Sequence, residues 1–139
     1  MKVYGERITV STNGFSDMRD ITEQVQEVVM KANVSEGLAT VFVVGSTASV
    51  STIEYEPALV EDFRDSLERL VSSKTKTRHG DTWGDDNGFS HIRATFMGPG
   101  ITLPIAGSEL VLGTWQQVVL IDHDNRGRRR EVFVQVLGQ

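Results

Sequence analysis

Two histidines and a carboxylate in the segment 79–91 offer the first chemistry that the sequence suggests. His79, Asp81 and His91 combine imidazole and carboxylate groups, which are ligand types that Zn²⁺ and Mn²⁺ accept in proteins. A loop of this length could bring both histidines to one point. Two histidines leave a metal site one or two ligands short, so a metal site and a hydrogen-bonded surface role both stay open.

Hard oxygen ligands lie within the same segment. Asp85, Asp86 and Asn87 could hold a Mg²⁺-bound di- or triphosphate, with water molecules completing the octahedral coordination. The alternative is an Asx-rich turn before a helix that starts near Gly88. Both interpretations fit these residue types.

Small residues fill the segment 45–49, between two predicted strands. Small side chains allow backbone amides and hydroxyl groups, here those of Ser46, Thr47 and Ser49, to approach a ligand closely. The segment matches neither a Walker loop nor a nucleophile elbow, and no Ser-His-Asp order supports a serine hydrolase. Phosphate binding is therefore the preferred functional interpretation, and a plain turn fits the same residues equally well.

Basic side chains are concentrated near the C-terminus, at Arg126, Arg128, Arg129 and Arg130. One interpretation of this cluster is an anion site, because guanidinium groups bind phosphate through paired N–H donors. The other is a solvated rim that balances its acidic neighbours, Asp122, Asp124 and Glu131.

The elements that must position these side chains follow from the spacing of apolar residues. Strands are predicted for 2–12, 15–21, 38–44, 50–55, 101–106, 110–112, 118–121 and 131–137. One helix is predicted from Thr22 to Asn33 and a second from Pro57 onward. The apolar stripe of the second helix, from Leu59 to Val71, is assigned to the core.

The same patterns predict how the strands are arranged. The short piece 15–21 is expected to pair with the first strand across the turn signal at 13–14. The continuous apolar run 38–44 predicts a central strand covered on both faces. The last two strands are expected to form a hairpin across 124–127, and 73–91 is expected to be a long, functional loop.

Composition indicates the class of protein. The chain has 139 residues, of which 39% are hydrophobic and 24% charged, and this predicts one globular domain, 1–139. The element pattern predicts an α+β fold, a mixed sheet or sandwich with two main helices in the first half. A net charge of -5 argues against a general nucleic-acid-binding protein. No cysteine occurs, which excludes disulfides and thiolate chemistry. No apolar run is long enough to span a membrane, and the polar start predicts a cytoplasmic protein.

Ordered blocks of sequence run through nearly the whole chain. They are Gly45-Ser46-Thr47-Ala48-Ser49, Ile53-Glu54-Tyr55-Glu56-Pro57, His79, Trp83-Gly84-Asp85-Asp86-Asn87-Gly88, Ser90-His91-Ile92, Leu112-Gly113-Thr114-Trp115-Gln116 and the segment from Asp122 to Arg130. With these blocks the chain resembles the YjbQ family of secondary thiamine-phosphate synthase-like proteins. The resemblance implies a mixed α/β sandwich that assembles as a homotrimer, with His79 and His91 in a pocket near a subunit interface. It also implies that an aminopyrimidine diphosphate is joined to a thiazole phosphate, with release of diphosphate.

Two positions depart from the family's pattern. Many relatives carry a histidine where this chain has Gly45, and some carry another where it has Phe89. A three-histidine site is thereby reduced to His79 and His91. Zn²⁺ is therefore expected less than Mg²⁺ or a phosphate group.

The resemblance and the residue types together indicate roles for individual side chains. The expected catalytic residues are His79, His91 and Asp86, because histidine can donate a proton near neutral pH and a carboxylate can hold Mg²⁺. The expected substrate- and phosphate-binding residues are Ser46, Thr47, Ser49, Asn87, Trp115, Arg128 and Arg129. The expected metal ligands are His79, His91 and Asp85. Trp115 would stack on a heterocycle, although core packing is the commoner role for tryptophan. The alternative function is a non-catalytic trimeric protein that binds a phosphorylated metabolite or a metal.

Overall fold

The computed structural model describes residues 1–139, in which eight strands and four helices form. The strands are β1 (Lys2–Ser11), β2 (Asp17–Asp20), β3 (Glu36–Val43), β4 (Ala48–Ile53), β5 (Gly100–Ala106), β6 (Glu109–Leu110), β7 (Gln117–Asp122) and β8 (Arg129–Gly138). The helices are α1 (Thr22–Ala32), α2 (Pro57–Leu70), α3 (Arg78–Trp83) and α4 (Gly88–Met97). The predicted α+β class is confirmed.

The strands form two antiparallel sheets. The larger sheet has the order β1-β8-β3-β5-β6, and the smaller sheet has the order β2-β7-β4. Valines on the inner faces of both sheets pack with α1, which contributes Val25, Val28 and Val29 to the same core. Burial of these branched apolar side chains is the main force that holds the sheets together.

The strand that is covered on both faces is β7. Val118 and Leu120 point into the core beneath α1, whereas Val119 and Ile121 pack on the other side, against Met18. The prediction that the run 38–44 would be this strand is wrong. In β3 only every second residue is buried, and the other residues face outward from the larger sheet.

Two predicted strand pairings are also wrong. β2 pairs with β7, not with β1, and β1 pairs along its whole length with β8. β7 and β8 belong to different sheets, so the connection after Asp122 carries the chain from one sheet to the other. The predicted hairpin is replaced by a link between the two sheets.

Helix α2 packs less tightly than its apolar stripe suggested. Leu67 is its buried residue, and Val60 and Phe63 are partly buried against the smaller sheet. Leu70 lies 80% exposed at the end of the helix, so the assignment of the whole stripe to the core is wrong.

None of the four helices combines the length and the apolar character that crossing a membrane requires.

Candidate functional site

The segment predicted as a long loop contains α3 and leads directly into α4. Thr77 caps α3, because its Oγ1 accepts a hydrogen bond of 3.0 Å from the backbone N–H of Gly80. α3 ends at Gly84, whose φ of 73° lies in the left-handed region that glycine adopts without strain. An added Cβ at Gly88, the first residue of α4, would lie 2.7 Å from the Cβ of Thr77. The start of α3 therefore packs directly against the start of α4.

This packing brings the two predicted histidines together. The rings of His79 on α3 and His91 on α4 have centroids 4.6 Å apart, and their planes are tilted by 49°. Asp85 Oδ1 lies 3.4 Å from His79 Nδ1, within the distance of an ion pair. Both imidazoles are partly exposed, so a ligand can reach them from solvent.

A pocket of about 590 Å³ lies beside the two histidines. Lys76, Arg78, His79 and His91 line it, and Asp81 is the one carboxylate in the lining. Two permanent positive charges and two imidazoles outweigh one negative charge. The pocket is therefore suited to an oxyanion such as phosphate, which would accept hydrogen bonds from these donors.

A buried ion pair lies behind the segment that joins α3 to α4. Arg130 donates two hydrogen bonds to the Asp122 carboxylate, of 2.8 Å from Nε and 2.7 Å from Nη2. Burial alone would raise the pKa of Asp122, but the hydrogen bonds from Arg130 and from Thr12 outweigh it and hold that pKa below its ordinary value. Asp122 therefore stays ionised as a structural partner of Arg130.

Asp124 is the second buried carboxylate of this cluster. It accepts hydrogen bonds from Thr47 Oγ1 at 2.9 Å and from Arg128 Nε at 2.8 Å. Burial would raise its pKa, and the hydrogen bonds from the Asn125 backbone and from Thr47 lower it below the ordinary value. The interpretation of Asp122 and Asp124 as a solvated rim is wrong, since both are buried.

His123 is the third histidine of the chain and lies fully buried between two serines. Its Nδ1 lies 2.7 Å from Ser16 Oγ, and its Nε2 lies 2.8 Å from Ser49 Oγ. Arg93 Nη1 donates to Ser16 Oγ at 3.0 Å, so the Ser16 hydroxyl proton is free to donate to Nδ1 and Nε2 then donates to Ser49. Burial, reinforced by the charge of Arg93, lowers the pKa of His123 to about 4.

The small-residue segment 45–49 contributes to this buried cluster more than to the pocket. Thr47 Oγ1 accepts from Arg130 Nη2 at 2.5 Å and donates to Asp124, and Ser49 is engaged with His123. Ser46 is exposed. The hydroxyls of Thr47 and Ser49 thus position buried charges.

The side chain expected at position 45 in relatives has no room here. An added Cβ at Gly45 would lie 2.7 Å from Arg130 Nη1. A guanidinium group therefore occupies the space beside Gly45, and a larger residue there would have to displace it.

The remaining predicted site residues lie in three places. Asn87 is buried, and its amide nitrogen lies 3.4 Å from Asp124 Oδ1. Asp86 is exposed with a φ of 54°, in the tight connection between the helices. Arg129 and Trp115 lie away from the pocket. Strand alternation turns Arg129 to the opposite face of β8 from Arg130.

Trp115 precedes β7, whereas Asp122 ends it. The two residues therefore lie at opposite ends of the smaller sheet. With 70% of its surface exposed, Trp115 is not a core residue, and that expectation is wrong.

The residues at this site do not form a metal centre. No three histidine, aspartate or glutamate side chains come together in the structure in a way that could hold a metal ion. Asp122 and Asp124 are engaged by Arg130 and Arg128, so the carboxylates nearest to the pocket's supporting segment already have cationic partners.

Sequence reasoning did not single out Arg93 or His123. Arg93 is buried, and its Nη2 lies 2.7 Å from Glu68 Oε2, which ties α4 to the end of α2. A signal for the buried cluster was present, because Asp122-His123-Asp124 directly follows the apolar run of β7. Polar residues at the end of a fully buried strand are themselves placed close to the core.

The chain matches a known family over most of its length. The profile of the family described as UPF0047 protein YjbQ-like matches residues 6–139. A UPF0047 protein from Mycobacterium tuberculosis is 38% identical over 98 residues, which are 70% of this chain and 72% of that protein. A UPF0047 protein from Methanothermobacter thermautotrophicus is 30% identical over 139 residues, which are 100% of this chain and 95% of that protein.

Solved structures share the fold. A YbjQ-like protein of unknown function from Sulfolobus solfataricus P2 superposes with a TM-score of 0.94 at 34% identity, over 99% of each chain. A protein of the YjbQ/UPF0047 family from Clostridium acetobutylicum superposes with a TM-score of 0.87 at 28% identity, over 95% of this chain and 99% of the other. The elements that carry the pocket therefore lie within a shared architecture.

Proposed function

The chain belongs to the UPF0047 YjbQ-like family, and we propose that it binds a phosphorylated small molecule between α3 and α4 and acts on it as a thiamine-phosphate synthase-type transferase. The convergence of Lys76, Arg78, His79 and His91 on one pocket supports the binding step. The transfer reaction is the one that the sequence resemblance implies.

The reaction places its main electrostatic demand on the leaving group. The bond between the pyrimidine methylene carbon and the diphosphate oxygen breaks, and the thiazole nitrogen forms a bond to that carbon. The departing diphosphate gains negative charge, so cationic N–H donors stabilise the transition state more than the ground state. Lys76 and Arg78 supply such donors, and His79 or His91 can donate a hydrogen bond to a phosphate oxygen.

The buried polar cluster has a positioning role in this proposal. Asn125 Nδ2 donates a hydrogen bond of 2.8 Å to the backbone oxygen of Asp85, and Asp85 in turn lies beside His79. The connection between β7 and β8 thereby supports the connection between α3 and α4. Fixed supports of this kind keep catalytic side chains in place.

One observation favours the alternative, a non-catalytic protein that binds a phosphorylated metabolite. The hydroxyls of Thr47 and Ser49, expected to meet a second phosphate group, are used inside the buried cluster. The pocket itself offers donors for one phosphate group at a time. A protein that only retains a phosphorylated ligand would need no more.

Turnover separates the two functions. The protein is incubated with the aminopyrimidine diphosphate and the thiazole phosphate, with and without added Mg²⁺, and thiamine phosphate and diphosphate are measured. We expect product with the wild type and a loss of about a hundredfold or more in His91→Ala, since general acid-base groups contribute on that scale. His91 is partly exposed, so the melting temperature should change little. If both precursors bind and are recovered unchanged, the protein is a binder and the transferase proposal is rejected.

We also propose that the protein assembles as a homotrimer with its pockets near the subunit interfaces. The support is the outer face of the larger sheet, where Leu38, Phe42 and Leu137 are exposed. Exposed apolar surface of this kind is typical of contacts between subunits.

A further inference from the structure

Helix α4 continues past His91 with an apolar surface that the proposed phosphate site does not use. Ile92 and Phe96 are one helical turn apart and therefore lie on the same side of α4. Ile92 is 40% exposed and Phe96 is 78% exposed. No contact within the chain requires an aromatic side chain at a position so open to solvent.

A second cavity lies along this part of α4. It has a volume of about 290 Å³ and is lined by His91, Ile92, Thr95 and Phe96. His91 and Ile92 also line the phosphate pocket. The two cavities therefore adjoin, one with cationic walls and the other with apolar walls.

We infer that Ile92 and Phe96 form a ring subsite, so that the ligand is a phosphate monoester whose ester group is an aromatic or heterocyclic ring. This inference rests on the proposed phosphate site and adds the substrate class. The phosphate group contacts Lys76 and Arg78, and the ring extends past His91 onto Ile92 and Phe96.

The size and the chemistry of the second cavity agree with this ligand. A cavity of about 150 Å³ is enough to hold benzene in an engineered protein, so the space along α4 accommodates a single ring. Phe96 can pair with that ring edge to face or in an offset stack, which adds to the burial of apolar surface. A ligand with both groups uses both cavities, whereas a free phosphate ion uses one.

A calorimetric comparison of methyl phosphate and phenyl phosphate tests the inference on the intact protein. Both are monoesters of similar charge, so they differ mainly in the ring. We expect phenyl phosphate to bind about tenfold more tightly to the wild type, which corresponds to about 1.4 kcal/mol. Phe96→Ala should reduce this ratio to about one and leave methyl phosphate affinity unchanged. Leu70→Ala, which removes an equally exposed apolar side chain from α2, should keep the tenfold ratio.

The outcomes separate this inference from the proposed function. Equal affinity of the wild type for the two esters overturns the ring subsite and leaves the phosphate site in place. If neither ester binds, the phosphate site and the ring subsite both fail. If Phe96→Ala lowers the molecular mass in light scattering, Phe96 belongs to a subunit contact, and the ring subsite is rejected.

Discussion

Arg130 organises the polar side of the site at the scale of single residues. Its guanidinium binds Asp122 through two hydrogen bonds and Thr47 through a third. It also occupies the space next to Gly45. A buried ion pair of this kind depends on both partners, because loss of one leaves an uncompensated buried charge. The cluster around Arg130 is therefore a support for the pocket and not a site open to ligands.

His123 gives the clearest prediction at this scale, a dependence of stability on pH. Its pKa is about 4 in the folded protein and about 6.5 in an unfolded chain. Between these values the unfolded state binds the extra proton, so the free energy of unfolding falls as pH is lowered from about 6.5 to about 4. The total loss from this residue is about 3 kcal/mol. Arg93, Asp122 and Arg130 are the charged groups that act on the ring.

Chemical denaturation across this pH range measures the effect. His123→Gln keeps an acceptor and a donor for the two serines and should remove the slope between pH 6.5 and 4. Glu68→Gln is the matched control, since the pKa of Glu68 is lowered to about 2 and its contribution disappears below about pH 4.5. Burial would raise the pKa of Glu68, and hydrogen bonds from Ser73 and Arg93 outweigh it. An unchanged slope in His123→Gln would show that the histidine is not held neutral.

The sequence allowed some residues of the site to be predicted and concealed others. His79 and His91 could be placed together because a short segment separates them, and the structure brings their rings to 4.6 Å. The partners of Thr47 and Ser49 lie more than 70 positions away in the sequence. Such contacts depend on the tertiary fold, so no local pattern shows them.

At the scale of elements, the site depends on how α3 and α4 begin. Thr77 caps α3 and also packs on Gly88, the first residue of α4. Only a residue without a Cβ allows this approach. The pocket and the pair of histidines therefore depend on one close contact between two short helices.

Two glycine substitutions test this contact. Gly88→Ala should destabilise the protein by about 1–3 kcal/mol, the range of overpacking in a tight site, and should weaken phosphate binding because α3 is displaced. Gly80→Ala should be neutral or stabilising by up to about 1 kcal/mol, as alanine favours helix and its Cβ would lie 3.4 Å from the nearest atom, Thr77 Oγ1. Thermal unfolding and phosphate calorimetry measure both effects. Equal behaviour of the two variants would contradict the described contact.

The elements were easier to predict than their partners. Apolar spacing located α1, α2 and most strands, because periodicity is a local property of the chain. The pairing of β1 with β8 joins the two ends of the sequence, and turn residues at 124–127 suggested a hairpin that does not form. Strand pairing over such separations depends on the whole fold.

At the scale of the whole molecule, the outer face of the larger sheet indicates assembly. Leu137 pairs with Val3 on one side and with Leu38 on the other, and all three are exposed. Phe42 and Phe133 lie opposite each other two residue pairs farther along the sheet. The alternation in β3 thus places apolar side chains on both faces, one for the core and one for a second surface.

The proposed homotrimer predicts a mass of three times 15.4 kDa in light scattering at micromolar concentration. Phe42→Lys should shift the mass toward the monomer, because a charge would be buried in the apolar contact. Leu70→Lys, on an exposed position of α2, should leave the mass unchanged. A monomer mass for the wild type would reject the assembly.

The central claim is that cationic side chains make the space between α3 and α4 a phosphate site, and a calorimetric titration with inorganic phosphate tests it most directly. Lys76 lines the pocket and Lys74 does not, although the two lysines lie in the same exposed segment. We predict binding to the wild type, about tenfold weaker binding to Lys76→Ala, as expected for one charged hydrogen bond, and unchanged binding to Lys74→Ala. Absence of binding to the wild type, or equal weakening in the two variants, would contradict the claim.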